Sequence, residues 1–426
     1  MDLDRSIAPD VKEIGEVTPF EYITDKLNNG APVYYLAHGE SSLFKMVIRF
    51  DGGISMEEKT LQSQLAALML LEGTTDKSSE EIAETIDFYG ASINPTYERD
   101  FNSIKVRGLR KDFNELLKLV YEIVAEAAYA EKEFRLLKNK YRELHKTNVK
   151  RKAYQAQNEM KPLLFGEHHP YGHKVDDQAF DLINRDDLIS FYQQYILNSR
   201  IRIFISGMNP EEASPQLNET FGKLNLPAHP EEIKAKLSSG NERRELHIYH
   251  DDALQSAIRL SWKTGNRNHS DFVDLKVLNT ILGGYFGSRL MKNLREEKGL
   301  TYGVRSAIGS TQQTGIWVIA TEVGAQHTQL ALQEIYKEIN RLKTTLVEDD
   351  ELGLVKRYLP GKILRSLEKD FDRLNSFVEL SDHQLPADYY QSFVNAVKII
   401  DAERIRELAN KYMMFDDICE VVIGKI

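Results

Sequence analysis

Hydrophobic and polar positions change rhythm repeatedly along this chain, and each change marks an element. Residues 32–39, 44–53, 92–99, 101–109 and 200–207 are apolar runs or apolar/polar alternations bounded by glycine or polar clusters, the pattern of strands. Residues 61–71, 78–90 and 113–128 space their apolar side chains three and four apart, which predicts helices, and 131–151 reads as a long charged helix.

The order then repeats. Strand patterns over 246–251 and 256–265, a helix over 272–284, a loop, a helix over 288–299, strands over 304–309 and 315–322, and a last strand over 419–424 follow the sequence of elements in the first half. Individual residues recur at a fixed distance: Lys140 and Tyr141 as Arg357 and Tyr358, Tyr195 as Tyr412, and Gly207 as Gly424, each pair 217 residues apart. Nearer the start, Ile48 in VIRFDGG matches Ile258 in AIRLSWKTG at a distance of 210. An ordered repeat of this kind predicts an internal duplication. Helices and strands come in segregated runs, which points to an α+β class with two homologous domains. Each would be a mostly antiparallel sheet with helices packed on it. The domains fall at 1–223 and 246–426, joined by a linker over 224–245 rich in Pro, Gly, Ser and charge. Two such domains on a short tether can face one another as a clamshell around a shared cavity.

At 426 residues the chain is long enough for two or three domains. Its 55 basic and 65 acidic residues, net −10, are mixed along the whole length, so no basic stripe suggests nucleic acid as a partner. The single cysteine, Cys419, lies in an apolar run and reads as a small buried side chain. No stretch approaches the about 18 apolar residues that a membrane helix needs, and the first residues lack a signal-peptide pattern. Cytoplasm is the default compartment on that reading, with the periplasm following if the start has been trimmed.

The run GGYFGSRLMKNLREEKGLTY, residues 283–302, holds Arg295 and Tyr302 seven positions apart. Alone, the pair reads as a helix-surface arginine and a tyrosine opening a strand. The opening GGYFGS lacks the GKS or GKT ending of a phosphate-binding loop. With Gly283, Gly284, Ser288, Arg289, Leu290, Glu296, Gly299 and Leu300 around the pair, the run resembles the second-half motif of the pitrilysin or insulinase-like zinc peptidases, the inverzincins. The resemblance covers nearly the whole chain. It implies that Tyr302 donates a hydrogen bond to the carbonyl oxygen of the peptide being cut and that Arg295 holds the peptide backbone; both would favour a transition state that gathers negative charge there. It further implies substrate contact by the glycine-rich loop, Gly283, Gly284 and Gly287, and by an edge-like strand at Asn94 to Thr96 that adds a peptide to its sheet.

Where that family carries HxxEH, two zinc-ligating histidines and a glutamate base, this chain has Gln64, Ala67 and Leu68, and the position of the distal ligand falls at Leu144. Glu143 and His145 flank it, and one ligand does not make a zinc site. Elsewhere, His168, His169 and His173 in GEHHPYGH resemble the family's HPYG turn and read as structural. His247 and His250, three apart on a strand, point to opposite faces. His145 reads as a solvated helix residue. No metal site is expected in this chain.

A complete substrate-handling motif beside an erased metal motif implies a non-catalytic subunit of a two-chain zinc peptidase. Such a chain would supply Arg295, Tyr302 and half of a chamber to a homologous, HxxEH-containing partner that holds the zinc. It would handle peptide, and neither nucleic acid nor a membrane. The alternative is a structural or assembly subunit on the same scaffold. A third reading, a self-sufficient peptidase with a relocated metal site, finds no support in the histidines.

Overall fold

Seven consecutive buried residues run through the middle of the strand Leu43–Asp51, and all six residues of the strand Cys419–Gly424 are buried. A strand buried on both faces must be covered on both faces, and this requirement organises the molecule. The computed structural model describes residues 15–37, 41–227 and 244–426. Strands β1 (Tyr22–Lys26), β2 (Pro32–Leu36), β3 (Leu43–Asp51), β4 (Ser92–Tyr97), β5 (Phe101–Leu109) and β6 (Ile201–Ser206) form one sheet in the order β1-β2-β6-β3-β5-β4. Strands β7 (Glu245–Tyr249), β8 (Gln255–Thr264), β9 (Val304–Ser310), β10 (Gly315–Gly324) and β11 (Cys419–Gly424) form a second in the order β7-β11-β8-β10-β9.

Without β1, which the hydrophobic pattern did not mark, the two sheets have one topology. In each, the only parallel pair is the first strand with the last, β2 with β6 and β7 with β11; every other pair is antiparallel. The α+β duplication read from the sequence is therefore the observed architecture. Most of the linker, 228–243, lies outside the described residues, as do residues 38 and 39 at the end of the first strand pattern.

The second face of each sheet is covered from the opposite half. Helix Lys152–Phe165, from the first half, packs on β8 and β11, while helix Asp370–Asp382, from the second half, packs on β6. Phe165 and Asp382, the last residues of these helices, are themselves 217 positions apart. The exchange is thus reciprocal. Met160, Leu163 and Leu164 pack with Cys419, Val421 and Ile423 in one apolar cluster. In return, Phe377 meets Phe204 at 6.0 Å and Tyr34 at 5.7 Å between ring centroids.

Charge reinforces the second of these contacts. Arg49 on β3 and Arg202 on β6 both reach Asp382: Arg49 Nε donates at 3.2 Å and its NH2 at 2.5 Å, and Arg202 NH2 donates at 2.9 Å. Both guanidinium groups also lie over the Phe101 ring, at 4.6 and 4.9 Å. Lys45, fully buried on β3, donates to the Phe371 carbonyl at 3.2 Å and to the Asn375 side chain.

Helix ends depart from the periodicity where tertiary pairing wins. The helix expected over 113–128 stops as Phe113–Ala125, because Ala127 bridges to Thr74 and Ala128 N–H donates to the Gly73 carbonyl. The expected 272–284 helix is regular over Phe272–Asn279 and then widens to Gly283, whose φ of −162° is non-helical.

Candidate functional site

The helix at the erased metal motif runs Gln62–Met69 and is built for packing. Leu65, Ala66, Ala67 and Met69 are buried, Gln64 and Leu68 half-buried, and Tyr129 donates its hydroxyl to the Ala66 carbonyl at 2.7 Å. Just before it, buried Glu57 accepts the Ser63 N–H at 2.9 Å, and burial pushes its carboxyl up to about 8. Leu144 sits half-exposed on the helix Glu131–Asn148. An amide, two aliphatic side chains and a further leucine do not fit zinc, which takes thiolate, imidazole or carboxylate. Among the described residues no group of three or more His, Cys, Asp or Glu side chains could hold a metal ion.

The histidines have other occupations. His169 is buried and accepts the Tyr171 N–H at 3.0 Å; His247 lies 2.8 Å from Glu420, and His250 3.2 Å from Gln155. His145 corrects the sequence reading. Rather than solvated, it is buried, with Nδ1 3.0 Å from the Tyr154 hydroxyl and its ring 5.7 Å from Phe180. A polar helix residue was drawn inward because later helices fold back on it, Tyr154 from the next helix and Phe180 from a following one. Cys419 is buried, as expected.

Arg295 and Tyr302 sit on a frame tied down from below. Gly283 is wedged against β9: a Cβ there would stand 2.7 Å from Ser306 Cβ and 2.8 Å from its backbone nitrogen. Ser306 Oγ donates to Asn279 at 2.8 Å and accepts from Trp317 Nε1 at 2.6 Å, so the glycine turn, β9 and β10 share one hydrogen-bond chain. The following helical turns, Met291–Glu297, are anchored from Arg289, just before them, and from Asn293, in their first half. Arg289 forks onto Glu351 at 2.7 to 3.3 Å, and Asn293 donates to Glu334 and Glu338, both at 2.8 Å. They are also wide turns, since Lys298 N–H donates back five residues to Asn293, a geometry frequent at functional sites.

On this frame the two side chains are free. Arg295 is exposed, and its one described contact is with the Phe286 ring, 4.8 Å beneath the guanidinium. Tyr302 is 92% exposed, and its hydroxyl makes no hydrogen bond among the described residues. Its backbone is held by Thr301, whose hydroxyl donates to the Glu322 carbonyl at 2.7 Å.

Two large cavities flank the crossing helices. One, of 810 Å³, lies between helix Lys152–Phe165 and the face of β8, β9 and β10, and Tyr302 is on its wall. The other, of 730 Å³, lies between β3, β4, β5 and helix Asp370–Asp382, and Asn94 is on its wall. Arg99, just past β4, lines both. Strand β4 is the sheet edge, as expected, and Pro95 within it fits an edge position. Thr96 turns to Ser103, hydroxyl to hydroxyl at 2.7 Å. Arg295, Gly283, Gly284 and Gly287 line neither cavity. Residue spacing did not flag the cavity cations Arg259, Arg305 and Lys161. A signal was present for Arg259, a charge in the middle of a strand otherwise buried on both faces.

Comparison with known proteins agrees with this picture. A family model described as the peptidase M16 inactive domain matches residues 182–359, which include Arg295 and Tyr302. The uncharacterized zinc protease YmxG of Bacillus subtilis is 24% identical over 358 residues, covering 82% of this chain and 84% of the relative. The non-peptidase homolog YmxG of Helicobacter pylori is 21% identical over 386 residues, covering 88% of each. Among solved structures, a peptidase M16 inactive domain from Pseudomonas fluorescens superposes with a TM-score of 0.85 at 23% identity, over 95% of this chain and 98% of that one. Residues 182–359 thus match the peptidase M16 inactive domain, the chain is similar over more than four-fifths of its length to relatives named as a zinc protease and a non-peptidase homolog, and it shares its fold with a peptidase M16 inactive domain.

Proposed function

We propose that this chain is the substrate-handling subunit of a two-chain zinc peptidase, lending Arg295 and Tyr302 to a homologous partner that carries HxxEH and its zinc. The observation that carries the reading is the contrast between two motifs in one chain. The metal-motif positions hold Gln64 and Leu68, both half-buried, and buried Ala67, on a helix packed into the core, whereas Arg295 and Tyr302 stand exposed on their frame. A phenol with no internal partner, at the wall of an 810 Å³ cavity, is available to donate to an oxygen that a bound peptide brings. Arg295, whose one contact among the described residues is the Phe286 ring, offers its N–H groups to a peptide carbonyl.

The test is to mix the purified chain with an HxxEH homologue and follow cleavage of a quenched fluorescent peptide library. The mixture should cut faster than the homologue alone. Tyr302→Phe and Arg295→Ala should each lower kcat by about tenfold to a hundredfold while co-elution of the two chains is unchanged. A mixture no faster than the homologue alone favours the second reading, an assembly or structural role, to which the relative named a non-peptidase homolog lends support.

A further inference from the structure

The cavity that Tyr302 lines has a lopsided charge. Arg99, Lys161, Arg259 and Arg305 face it, and Glu322 is the single carboxylate on its wall. A side pocket of 480 Å³ shares Gln157, Gln255, Arg259 and Glu322 with it and adds Arg151 and Lys152. The chain as a whole carries a net charge of −10, so this concentration of cations runs against its average.

The neighbouring 730 Å³ cavity has five lysines and arginines on its wall but also four carboxylates, so it is nearly balanced. There Arg49 is paired with Asp382 and Glu98, Lys105 lies 3.6 Å from Glu98, and Asp100 and Glu379 also line the wall. In the Tyr302 cavity, none of the four cations lies within 4.0 Å of a carboxylate among the described residues. Arg259 is fixed by donating one nitrogen to the Ile258 and Thr321 carbonyls at 2.9 and 3.1 Å, both neutral acceptors, and the carboxylate that acts on its charge is Glu322, beyond ion-pair distance. Lys161 has no hydrogen-bond partner among the described residues. Burial pulls the basicity of both groups below its ordinary value, against the opposing pull of Glu57 on Lys161 and of Glu322 on Arg259.

Small side chains make the room. Ser261, Ala307, Gly309 and Ala320 pave the sheet between the cations, leaving space for an extended chain to lie across the strands. An apolar peptide would leave the cations further desolvated and unpaired, at a cost. A peptide carrying carboxylates would lose solvent but gain charge-assisted hydrogen bonds at each of them.

We propose that the Tyr302 cavity selects peptide segments rich in aspartate and glutamate, with Arg305 and Lys161 as specificity-determining residues. This inference rests on the reading of the chain as a peptide-handling subunit, and it names the substrate class of that site.

The test uses the full chain alone, so that it does not depend on any partner. A fluorescein-labelled, C-terminally amidated peptide rich in glutamate, its glutamine counterpart and its lysine counterpart are titrated by fluorescence anisotropy at low and high salt. The glutamate peptide should bind at least about tenfold more tightly than the glutamine peptide, and that margin should shrink as salt rises. Arg305→Gln, at an exposed edge-strand position, and Lys161→Gln should each reduce the margin, and the pair should erase it; circular dichroism checks that both variants fold. Equal binding of glutamate and glutamine peptides, or a margin that survives the double variant, overturns the acidic preference while leaving peptide handling intact. Preference restored only with a free C-terminal carboxylate overturns side-chain recognition in favour of chain-end capture. No binding of any peptide overturns the inference, and the mixture assay then judges peptide handling separately.

Discussion

Replacing Asp382 with alanine tests the idea that the two halves are fastened through one buried carboxylate. Asp382 ends the exchanged helix of the second half, its side chain 7% exposed, and both its oxygens are taken by arginines of the first-half sheet. Truncation leaves Arg49, 5% exposed, with Glu98 at 2.7 Å as its remaining acid, and leaves Arg202 with Asp51 at 3.5 Å. Removing one partner of a buried ion pair costs about 3–5 kcal/mol. Because each arginine keeps a second acid, the lower end applies, about 3 kcal/mol. For a cooperative unit of the size of one half, this lowers Tm by about 6–12 °C. Thermal melting followed by circular dichroism reads the loss directly. A double change, Arg49→Met with Asp382→Leu, removes both charges and should recover much of it, since apolar replacement of a buried pair is often neutral. A loss under about 1 kcal/mol in the single variant, or strictly additive losses in the double, would refute the claim that this carboxylate couples the halves.

Three other expectations follow from single residues. Gly283→Ala must push Ser306 and β9 aside, so it should destabilise the second half by about 1–3 kcal/mol in urea melts; a neutral result would mean that the turn has slack. Glu57, raised from 4.5 to about 8 by burial, favours the folded state below pH 4.5 and loses that contribution as pH climbs to about 8, so Glu57→Gln should flatten the fall in stability across this window; an unchanged slope would place the titrating group elsewhere. After loading with excess zinc and exhaustive dialysis, mass spectrometry should find well under one zinc per chain; a tightly held equivalent would mean that the metal motif has been misplaced.

Much of the architecture was legible because strands buried on both faces and helices buried on one write different periods into sequence. The 217-residue recurrence of Tyr141, Tyr195 and Gly207 anticipated two sheets of one topology. The edge position of Asn94 was reached through the family resemblance, and the sheet order agrees with it. The exchange of helices was not legible, since a helical pattern can show that a face is buried without showing which sheet buries it. The charge lock was invisible for a related reason: Lys45 and Arg49 lie far in sequence from Asn375 and Asp382, and their pairing is decided by the exchange. His145 was misread because its aromatic cover, Tyr154 and Phe180, arrives only with the tertiary fold. Of the Tyr302 cavity, Tyr302 itself was marked, while its four cations come from four separate segments with no common motif.

The helix exchange also constrains how such a chain could have arisen. A single half with its own helix lent outward has one sheet face open to water, and two identical halves related by a two-fold axis close both faces at once. An ancestor of one half's length would thus have folded as a swapped homodimer, and gene fusion would have joined partners already committed to each other. Freed from identity, one half could then lose a function that the other, or a second chain, retained. On that account, cutting the present chain within 228–243 should leave the two fragments together, as the ancestral pair once was.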